Sequence, residues 1–491
     1  MSAYRDIISN QYARINYAFW ILTVSLIGWI KFFHHDLWKD EWQAWFVAKD
    51  KSVSEILAFL YYEGHPALWY LYLKIFTPLQ GLMGAEHIIG LAHLITVAAG
   101  LYVFFLKFRM HSLLKVLAVI SYFLFFEYGV INRGYFLVVL FAFLATYFLR
   151  SSKSNATLAG LSLMLLCQTE VYGVMIAAVL VFYDYLTQRS NLATQNKPYK
   201  INFLALKGFL IGLGVFVICV FPRTAGHVAS TRGRELSAWD SFLTAFQGNL
   251  SNTYLLGSTG DTSFYGWTGF GILISIFVVL GLYLIFKKTK TLGFSMLVFV
   301  CGMTLFSILF FMGGVRQWGM GFVMFLCLLE LRNINFQKDT SQMGIAAIIL
   351  AFATIHNAKA LKATFSIPFT NAKMTGEFIK EKVPEKVPVL AINKFEATPV
   401  IGYTGRSFYE LPTGDPFTYF RWVDKIYLPT EGELKLFAKF KKVGGIVILT
   451  PTKLDANRYP NVVLWQQFDK ENYKNENYYL YTLALKPIDA Q

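Results

Sequence analysis

Long apolar runs separated by short polar connectors recur along most of this chain. A helix that crosses a membrane needs about 20 consecutive, mainly apolar residues. The runs that approach this length predict about 11 transmembrane helices, over residues 17–33, 86–106, 113–126, 134–149, 156–172, 173–187, 205–222, 267–286, 291–311, 317–331 and 343–356. The first run has no small-residue cleavage site after it, so we expect a retained span rather than a signal peptide.

The composition and the charge pattern agree with a membrane protein. Of the 491 residues, 55% are hydrophobic, 17% are aromatic and 15% are charged, whereas a soluble domain has about 25% charged residues. The formal net charge is +15, and every second connector between the apolar runs is basic. Basic connectors are typical of loops that face the cytoplasm. We therefore expect a cytoplasmic N-terminus, an extracytoplasmic C-terminal part and no nucleic-acid partner.

The segment between the first two spans, about residues 34–85, is expected to be a large first external loop. Within it, His65–Gln80 is apolar, but counting it as a span would place every later basic connector outside. Pro66 and Pro78 bound this segment, which we interpret as an amphipathic helix lying in the membrane interface. The run Ser52-Val53-Ser54-Glu55 has the spacing of a capping box and predicts the start of a short helix before it.

The chain changes character near His356, beyond which apolar runs shorten and charge rises. We expect a membrane domain over residues 1–356 and a small extracytoplasmic domain over residues 357–491. The latter alternates strand-like and helix-like patterns, which favours an α/β fold. The predicted strands are Val389–Asn393, Gly445–Thr450, Val462–Phe468 and Tyr478–Leu485, and the predicted helices are Lys373–Lys382 and Glu431–Lys442. The predicted fold is therefore an all-α polytopic membrane protein with a small C-terminal α/β domain.

Two adjacent carboxylates, Asp40 and Glu41, follow the first span and open a helical pattern marked by Trp42 and Trp45. One interpretation is structural, because acidic residues in a first turn are favoured by the helix dipole and tryptophans line membrane interfaces. The other is chemical, because a held and partly desolvated carboxylate can act as a general base on a sugar hydroxyl. In that case Asp40 is the base, and Glu41 acts on the same group or holds a divalent ion.

Glu63 and His65 lie two residues apart in the same loop, and Gly64 and Pro66 constrain the backbone around them. Such a pair orients a substrate or binds a metal, although a histidine with ordinary polar partners is an equal alternative. We therefore expect Glu41 and His65 as candidate ligands of a divalent metal ion. The spacing is too short and too common to indicate zinc.

Further charged residues lie in the later external loops. Arg133 sits at the edge of a span, where a guanidinium either grips a phosphate or extends towards lipid headgroups. Glu170 lies at an external turn, where it pairs with an arginine from another loop or simply belongs to the turn. The remaining external cations suit a lipid phosphate or pyrophosphate, and they are Arg223, His227, Arg232, Arg234 and Arg316. The chain has no Gly-rich nucleotide-binding loop that we recognise.

This ordered set of motifs resembles the GT-C glycosyltransferases, in particular the bacterial protein-mannosyltransferase-like and aminoarabinose-transferase-like branch. The resemblance extends over about residues 15–350 as an architecture and is specific over about 30–135. Asp40 matches the catalytic acid of the family, and Glu41 matches its partner. His65 matches the His-Pro of the interfacial helix, and Arg133 and Tyr135 match the Arg-x-Tyr of the second external loop. Where many relatives have an acidic residue just before that arginine, this chain has Val130-Ile131-Asn132.

The resemblance implies an inverting membrane glycosyltransferase of the bacterial inner membrane. Such an enzyme transfers a sugar from a polyprenyl-phosphate donor to a hydroxyl of a glycan, lipid or protein at the outer face. The substrate-binding and phosphate-binding residues would be Glu63, His65, Arg133, Tyr135, Glu170 and Arg316. Two other classes remain open. One is a polytopic transporter or lipid flippase, and the other is a scaffold whose soluble tail is the functional part.

Overall fold

The computed structural model describes residues 2–150, 155–195, 203–220, 237–256, 268–334 and 338–485. The chain divides into two compact units. We call the first the helical unit; it consists of Met1–Phe33, Leu57–Trp69 and Gly90–Lys362. We call the second the sheet unit; it consists of His34–Ile56, Tyr70–Ile89 and Ala363–Gln491.

The described residues are mainly helical. The helices in chain order are α1 (Ser2–Phe33), α2 (Lys39–Asp50), α3 (Val53–Glu63), α4 (Leu68–Phe76), α5 (Ala85–Tyr102), α6 (Ser112–Val119), α7 (Tyr135–Arg150), α8 (Ala156–Cys167), α9 (Val171–Gln195), α10 (Phe203–Val220), α11 (Ala238–Gln247), α12 (Gly269–Phe286), α13 (Lys290–Leu309), α14 (Val315–Trp318), α15 (Met320–Arg332), α16 (Thr340–Ser366), α17 (Ala372–Lys382), α18 (Lys394–Thr404) and α19 (Glu431–Phe440). A 3₁₀ segment, Thr77–Gly81, follows α4, and π-helical segments occupy Val103–Lys107, Tyr122–Val130 and Gly248–Leu256.

Among the described residues, seven helices are long and apolar enough to cross a membrane. The pair Ser112–Val119 and Tyr122–Val130, which is bent by 48°, would make an eighth span. Three other predicted runs form shorter helices, α7, α8 and α15, of 16, 12 and 13 residues. At about 1.5 Å per residue these are shorter than the roughly 30 Å hydrocarbon core. The chain is therefore a multi-pass membrane protein, and the predicted count of about 11 spans goes beyond the seven or eight found here.

Small residues allow two helices of the helical unit to approach closely. A Cβ atom placed on Gly208 of α10 would lie 2.1 Å from the carbonyl oxygen of Gly160 in α8. A Cβ on Gly212, one turn later, would lie 2.8 Å from the carbonyl oxygen of Met164. Glycines at helix contacts are typical of membrane bundles, because apolar lipid gives helices little hydrophobic reason to associate and close packing must do so.

The sheet unit contains six strands, β1 (Val389–Ala391), β2 (Phe408–Tyr409), β3 (Pro416–Phe417), β4 (Gly445–Thr450), β5 (Val463–Phe468) and β6 (Tyr478–Ala484). Their order in the sheet is β3-β2-β1-β4-β6-β5. β1 is parallel to both β2 and β4, and the remaining pairs are antiparallel. The four strands expected from the sequence coincide with β1, β4, β5 and β6 to within two residues. Helix α18 and the short strands β2 and β3 were not anticipated.

Helix α2 packs against α18 within the sheet unit. Trp42 belongs to the same hydrophobic core as Val400 and Ile401 of α18. Gly402 makes this packing possible, because a Cβ at that position would lie 2.1 Å from the Trp42 ring. Gln43 fixes the contact, since its amide donates to the Phe420 carbonyl at 2.7 Å and accepts from the Phe420 N–H at 3.1 Å. The segments 34–56 and 70–89 of the first loop thus belong to the same compact unit as residues 363–491, whereas the sequence placed them with the membrane domain.

Two local predictions for the first loop are confirmed. The capping box at the start of α3 is present, because the Ser52 N–H donates to Glu55 Oε2 at 2.7 Å and the Glu55 N–H donates to Ser52 Oγ at 3.4 Å. Within His65–Gln80 a helix is present, as α4 from Leu68 followed by the 3₁₀ segment; its position in the membrane interface stays a prediction.

Candidate active site

The two carboxylates of the acidic pair have different surroundings in the first turn of α2. Glu41 is fully buried. Its Oε1 is hydrogen-bonded to His35 Nε2 at 2.9 Å, and its Oε2 accepts from the Trp38 N–H at 3.0 Å. Asp40 is half-buried. Glu41 therefore closes the N-terminus of the helix, and Asp40 is the carboxylate of the pair that reaches the surface of the sheet unit.

A network of partly and fully buried charges supports the start of α2. Lys39 Nζ donates to Glu396 Oε1 of α18 at 2.7 Å. Burial lowers the pKa of Lys39, but the charges of Glu396 and Glu476 raise it more, so the lysine stays protonated. Burial, reinforced by Glu396, raises the pKa of Glu476 to about 7, against the opposing effect of Lys39. The residue that directly precedes Asp40 is thus a fixed positive charge.

His65 and Glu170 form an ion pair in the helical unit, with 2.8 Å between His65 Nδ1 and Glu170 Oε2. The Glu170 side chain is 8% exposed and that of His65 is 31% exposed. Burial lowers the pKa of His65, but Glu170 and, more weakly, Glu63 raise it against the effect of Arg133, and the net shift is upward. The sequence left two alternatives for Glu170, an arginine partner or a role within the turn, and the structure gives it this histidine.

Arg133, Tyr135 and Arg316 are connected through side chains at the ends of neighbouring helices. The Arg133 guanidinium lies 5.0 Å from the centroid of the Tyr135 ring. The Tyr135 hydroxyl accepts from Gln317 Nε2 at 3.0 Å. Arg316 Nε lies 3.9 Å from Glu127 Oε1. The two guanidinium groups are therefore presented by adjoining segments, and Glu127, the last acidic residue before Arg133, is the partner of Arg316.

A buried lysine that the sequence analysis did not single out holds the segment before Arg133. Lys31 is 4% exposed and lies near the end of α1. Its Nζ donates to the Val130 carbonyl at 2.7 Å and to Asn132 Oδ1 at 2.8 Å, and it lies 3.0 Å from His93 Nδ1. A charged residue within an apolar run is a signal of function or of a specific partner. Lys31 is such a charged residue in the first apolar run, so the sequence alone could have identified it as a candidate.

No cluster of metal ligands among the described residues supports the predicted metal site. Among the described residues, no group of three or more His, Cys, Asp or Glu side chains is arranged to hold a metal ion. Both Glu41 oxygens already accept hydrogen bonds within the sheet unit, and His65 Nδ1 is engaged by Glu170. Glu41 belongs to the sheet unit and His65 to the helical unit. Their role as metal ligands stays a prediction, and the chemistry below has no step through a metal.

Of the eight predicted site residues, six belong to the helical unit and two to the sheet unit. Five of the six share a network of ion-pair, ring and electrostatic interactions, and they are Glu63, His65, Arg133, Tyr135 and Glu170. The sixth, Arg316, directly precedes Gln317, which donates to the Tyr135 hydroxyl. Asp40 and Glu41 are adjacent on α2 of the sheet unit. Four of the predicted external cations lie outside the described residues, namely Arg223, His227, Arg232 and Arg234.

Comparisons with known proteins give one finding in structure and none in sequence. No protein-family model matches the chain, and no curated protein matches it. Among solved structures, the chain is similar to ArnT from Cupriavidus metallidurans, whose crystal structure has undecaprenyl phosphate bound. The match has 12% sequence identity and a TM-score of 0.48, and it covers 94% of this chain and 97% of that one. At this level of similarity we argue the activity from the residues of this chain alone.

Proposed function

We propose that this protein is a membrane glycosyltransferase that takes a sugar from a polyprenyl-phosphate donor. The observation that carries the proposal is the cluster around Tyr135 in the helical unit. There Arg133, Arg316 and His65 place cationic groups at the ends of apolar helices. Ionisable groups in such positions are costly and usually serve a function. Guanidinium groups bind phosphate oxygens in two-pronged fashion, so a lipid phosphate near the membrane surface suits this cluster.

The proposed base is Asp40. Its carboxylate takes the proton from an acceptor hydroxyl, and that oxygen attacks C1 of the sugar. The bond between C1 and the phosphate oxygen breaks, and its electron pair leaves with the polyprenyl phosphate. Attack from the face opposite the leaving group inverts the configuration at C1. Proton transfer to a positioned base contributes about 10²–10⁴ in rate, and cationic stabilisation of the leaving phosphate contributes further.

Glu41, His35 and Lys39 would act as positioning residues in this scheme. Glu41 accepts a hydrogen bond from the Trp38 N–H at the helix start and is itself hydrogen-bonded to His35. Lys39 ties the same turn to Glu396 of α18. A base is effective only when it is held close to the proton that it removes, and small misplacements are costly. The sheet unit would thus serve to fix the orientation of the base.

The cellular setting is part of the proposal. The basic connectors favour a cytoplasmic N-terminus, and the odd number of spans predicted from the sequence, about 11, would place the C-terminal part outside. The reaction would take place at the outer face of a bacterial inner membrane, and the acceptor would be a glycan, a lipid or a protein. A lipid-linked donor suits that location, because nucleotide sugars are made in the cytoplasm.

The first experiment measures phosphate recognition. The protein is placed in lipid nanodiscs, and binding of a polyprenyl phosphate is followed by native mass spectrometry. We expect Arg133→Lys and Arg316→Lys each to weaken binding about tenfold, since a lysine loses the two-pronged geometry. Arg189→Lys is the matched control, because Arg189 is an exposed arginine on α9 of the same unit. Equal binding by all three variants would contradict the phosphate site.

The second experiment measures transfer from a panel of radiolabelled polyprenyl-phosphate sugars to membrane-extracted acceptors. Asp40→Asn should lower transfer by about 100-fold or more while polyprenyl-phosphate binding is retained. Asp469→Asn is the control, because Asp469 is an exposed carboxylate elsewhere in the sheet unit. Near-normal transfer by Asp40→Asn would refute its role. Movement of the lipid across liposomes without any product would instead favour the flippase alternative.

A further inference from the structure

The sheet unit contains a cavity of about 400 Å³ at one edge of its parallel strands. Lys394 lines it and is the first residue of α18, just beyond the carboxyl end of β1. Glu410 lines it too and directly follows β2, which is parallel to β1. Ligands of open α/β sheets commonly bind outside the carboxyl ends of parallel strands. Lys394 and Glu410 follow the parallel neighbours β1 and β2, so both lie at that edge of the sheet.

The remaining wall comes from the segment after β3 and from the end of α2. Thr418, Tyr419, Phe420 and Arg421 line the cavity together with Asp50, the last residue of α2. The Thr418 hydroxyl donates to Asp50 Oδ2 at 2.6 Å. The hydrogen bonds between Gln43 of α2 and the Phe420 backbone hold the same segment. The cavity is thus formed within one compact unit, with α2 as part of its frame.

The charges of the wall are arranged in pairs and leave an acidic excess. Lys394 Nζ lies 2.7 Å from Glu410 Oε2 and 2.9 Å from Asp424 Oδ2. Burial lowers the pKa of Lys394, but hydrogen bonds to Glu410 and Asp424 raise it more, so the lysine is charged and neutralised in place. Three carboxylates face the cavity against one lysine and one arginine. This balance disfavours an anionic ligand such as a nucleotide or a free phosphate.

The wall also offers the ring of Tyr419 and many hydrogen-bond acceptors. Tyr419 is half-buried, whereas Phe417 and Phe420 are buried. Carboxylate oxygens accept hydrogen bonds, and hydroxyl groups of a ligand can donate them. Small-molecule sites combine apolar and aromatic lining with a few placed polar groups, over volumes of roughly 300–1,000 Å³. A neutral ligand with several hydroxyl groups and an apolar face meets all of these conditions.

We propose that this cavity is a saccharide-binding site of the sheet unit, with Glu410, Asp424 and Asp50 accepting hydrogen bonds from sugar hydroxyls and the Tyr419 ring packing on the sugar face. The site is separate from the proposed catalytic base. Asp40 and Asp50 are ten residues apart on one helix, which corresponds to about 15 Å. A single sugar ring does not extend over that distance, so the cavity would hold a part of a glycan remote from any reacting hydroxyl. Binding here does not depend on the chain being a transferase.

The experiment measures binding to the full chain in lipid nanodiscs, because maltoside or glucoside detergents would compete for a saccharide site. Mannotriose, maltotriose, chitotriose and the corresponding monosaccharides are titrated at up to millimolar concentration and followed by saturation-transfer NMR and calorimetry. We expect saturable binding of at least one of them. Ser407→Trp should abolish it, because Ser407 is an exposed lining residue and a tryptophan there fills the cavity. Glu410→Gln should weaken it about tenfold.

Three controls make the outcome decisive. Asp469→Asn removes an exposed carboxylate away from the cavity and should bind as the wild type does. Asp40→Asn should also retain binding, so that failure of the proposed catalysis and failure of this site are distinguished. Ser407→Trp should keep the wild-type thermal unfolding midpoint. No saturable binding of any of these saccharides overturns the proposal, as does binding that survives Ser407→Trp.

Discussion

Replacing Glu41 with Ala tests whether Glu41 stabilises the start of α2 while Asp40 does not. Glu41 has no exposed surface and two partners, the Trp38 N–H and the His35 ring. The substitution removes the carboxylate, so both buried partners lose their hydrogen bond to Glu41. We expect α2 to open more readily in this variant, whereas Asp40→Asn should leave the helix nearly as stable as before.

The size of the effect follows from the two lost interactions. Loss of a capping acceptor at a helix N-terminus costs about 1 kcal/mol. A hydrogen bond to a charged group contributes about 1.5–3 kcal/mol. The sum is about 3 kcal/mol, which corresponds to an opening equilibrium on the order of 100-fold more favourable. A first-turn carboxylate that acts only on the helix dipole contributes about 0.3–1 kcal/mol, so Asp40→Asn should change the equilibrium less than about fivefold.

Hydrogen exchange followed by mass spectrometry measures this opening locally, which is preferable to global melting for a two-unit membrane protein. Peptides covering Lys39–Asp50 should exchange on the order of 100-fold faster in Glu41→Ala. Glu41→Gln keeps an acceptor oxygen of the same shape and should fall between this variant and the wild type. Peptides from α13 serve as the internal reference. Exchange of α2 in Glu41→Ala within about twofold of the wild type would refute the structural role of Glu41.

Three further predictions concern the helical unit. Glu170 raises the pKa of His65, so the ion pair should contribute fully to stability below the ordinary pKa of 6.5 and lose its contribution as the pH rises through the raised pKa. The thermal midpoint of the wild type should therefore fall towards that of Glu170→Gln with rising pH. A difference between the two midpoints that stays constant with pH would contradict this. Glu330 is buried and forms an ion pair with Arg150. Glu330→Gln should lower the free energy of unfolding by about 3 kcal/mol. An unchanged thermal midpoint would show that this ion pair does not stabilise the protein. Lys31→Met should weaken polyprenyl-phosphate binding in nanodiscs about tenfold, because the segment before Arg133, the proposed phosphate-binding arginine, loses the hydrogen bonds of Lys31. Binding equal to that of the wild type would remove Lys31 from the site.

The elements of the fold could largely be predicted from the sequence. Apolar runs of sufficient length gave the long helices, because membrane helices satisfy their backbone within a single segment. The acidic first turn of α2 and the capping box of α3 are also local features. The membership of α2 in the sheet unit could not be predicted in this way. It depends on contacts such as that between Gln43 and Phe420, which are 377 residues apart, and periodicity contains no information about such pairs.

The candidate site shows the same limit. Residue types and loop positions identified His65, Arg133 and Glu170, because ionisable groups stand out against apolar segments. The pairing of His65 with Glu170 joins residues 105 positions apart, and it was not predicted. Electrostatics alone does not choose a partner for Glu170, since any cation satisfies a carboxylate. Which cation lies within reach is decided by helix packing.

Helix geometry explains why two adjacent carboxylates have different environments. Successive residues of an α-helix point about 100° apart around its axis. Once Glu41 turns inward to meet His35 and the Trp38 N–H, the preceding side chain must point to a different side. Asp40 is accordingly half-buried, next to a lysine that is itself held by Glu396. In this Asp-Glu pair, one carboxylate caps the first turn of the helix and the other points away from that cap. Asp40, which does not cap the turn, would be the base in the proposed mechanism.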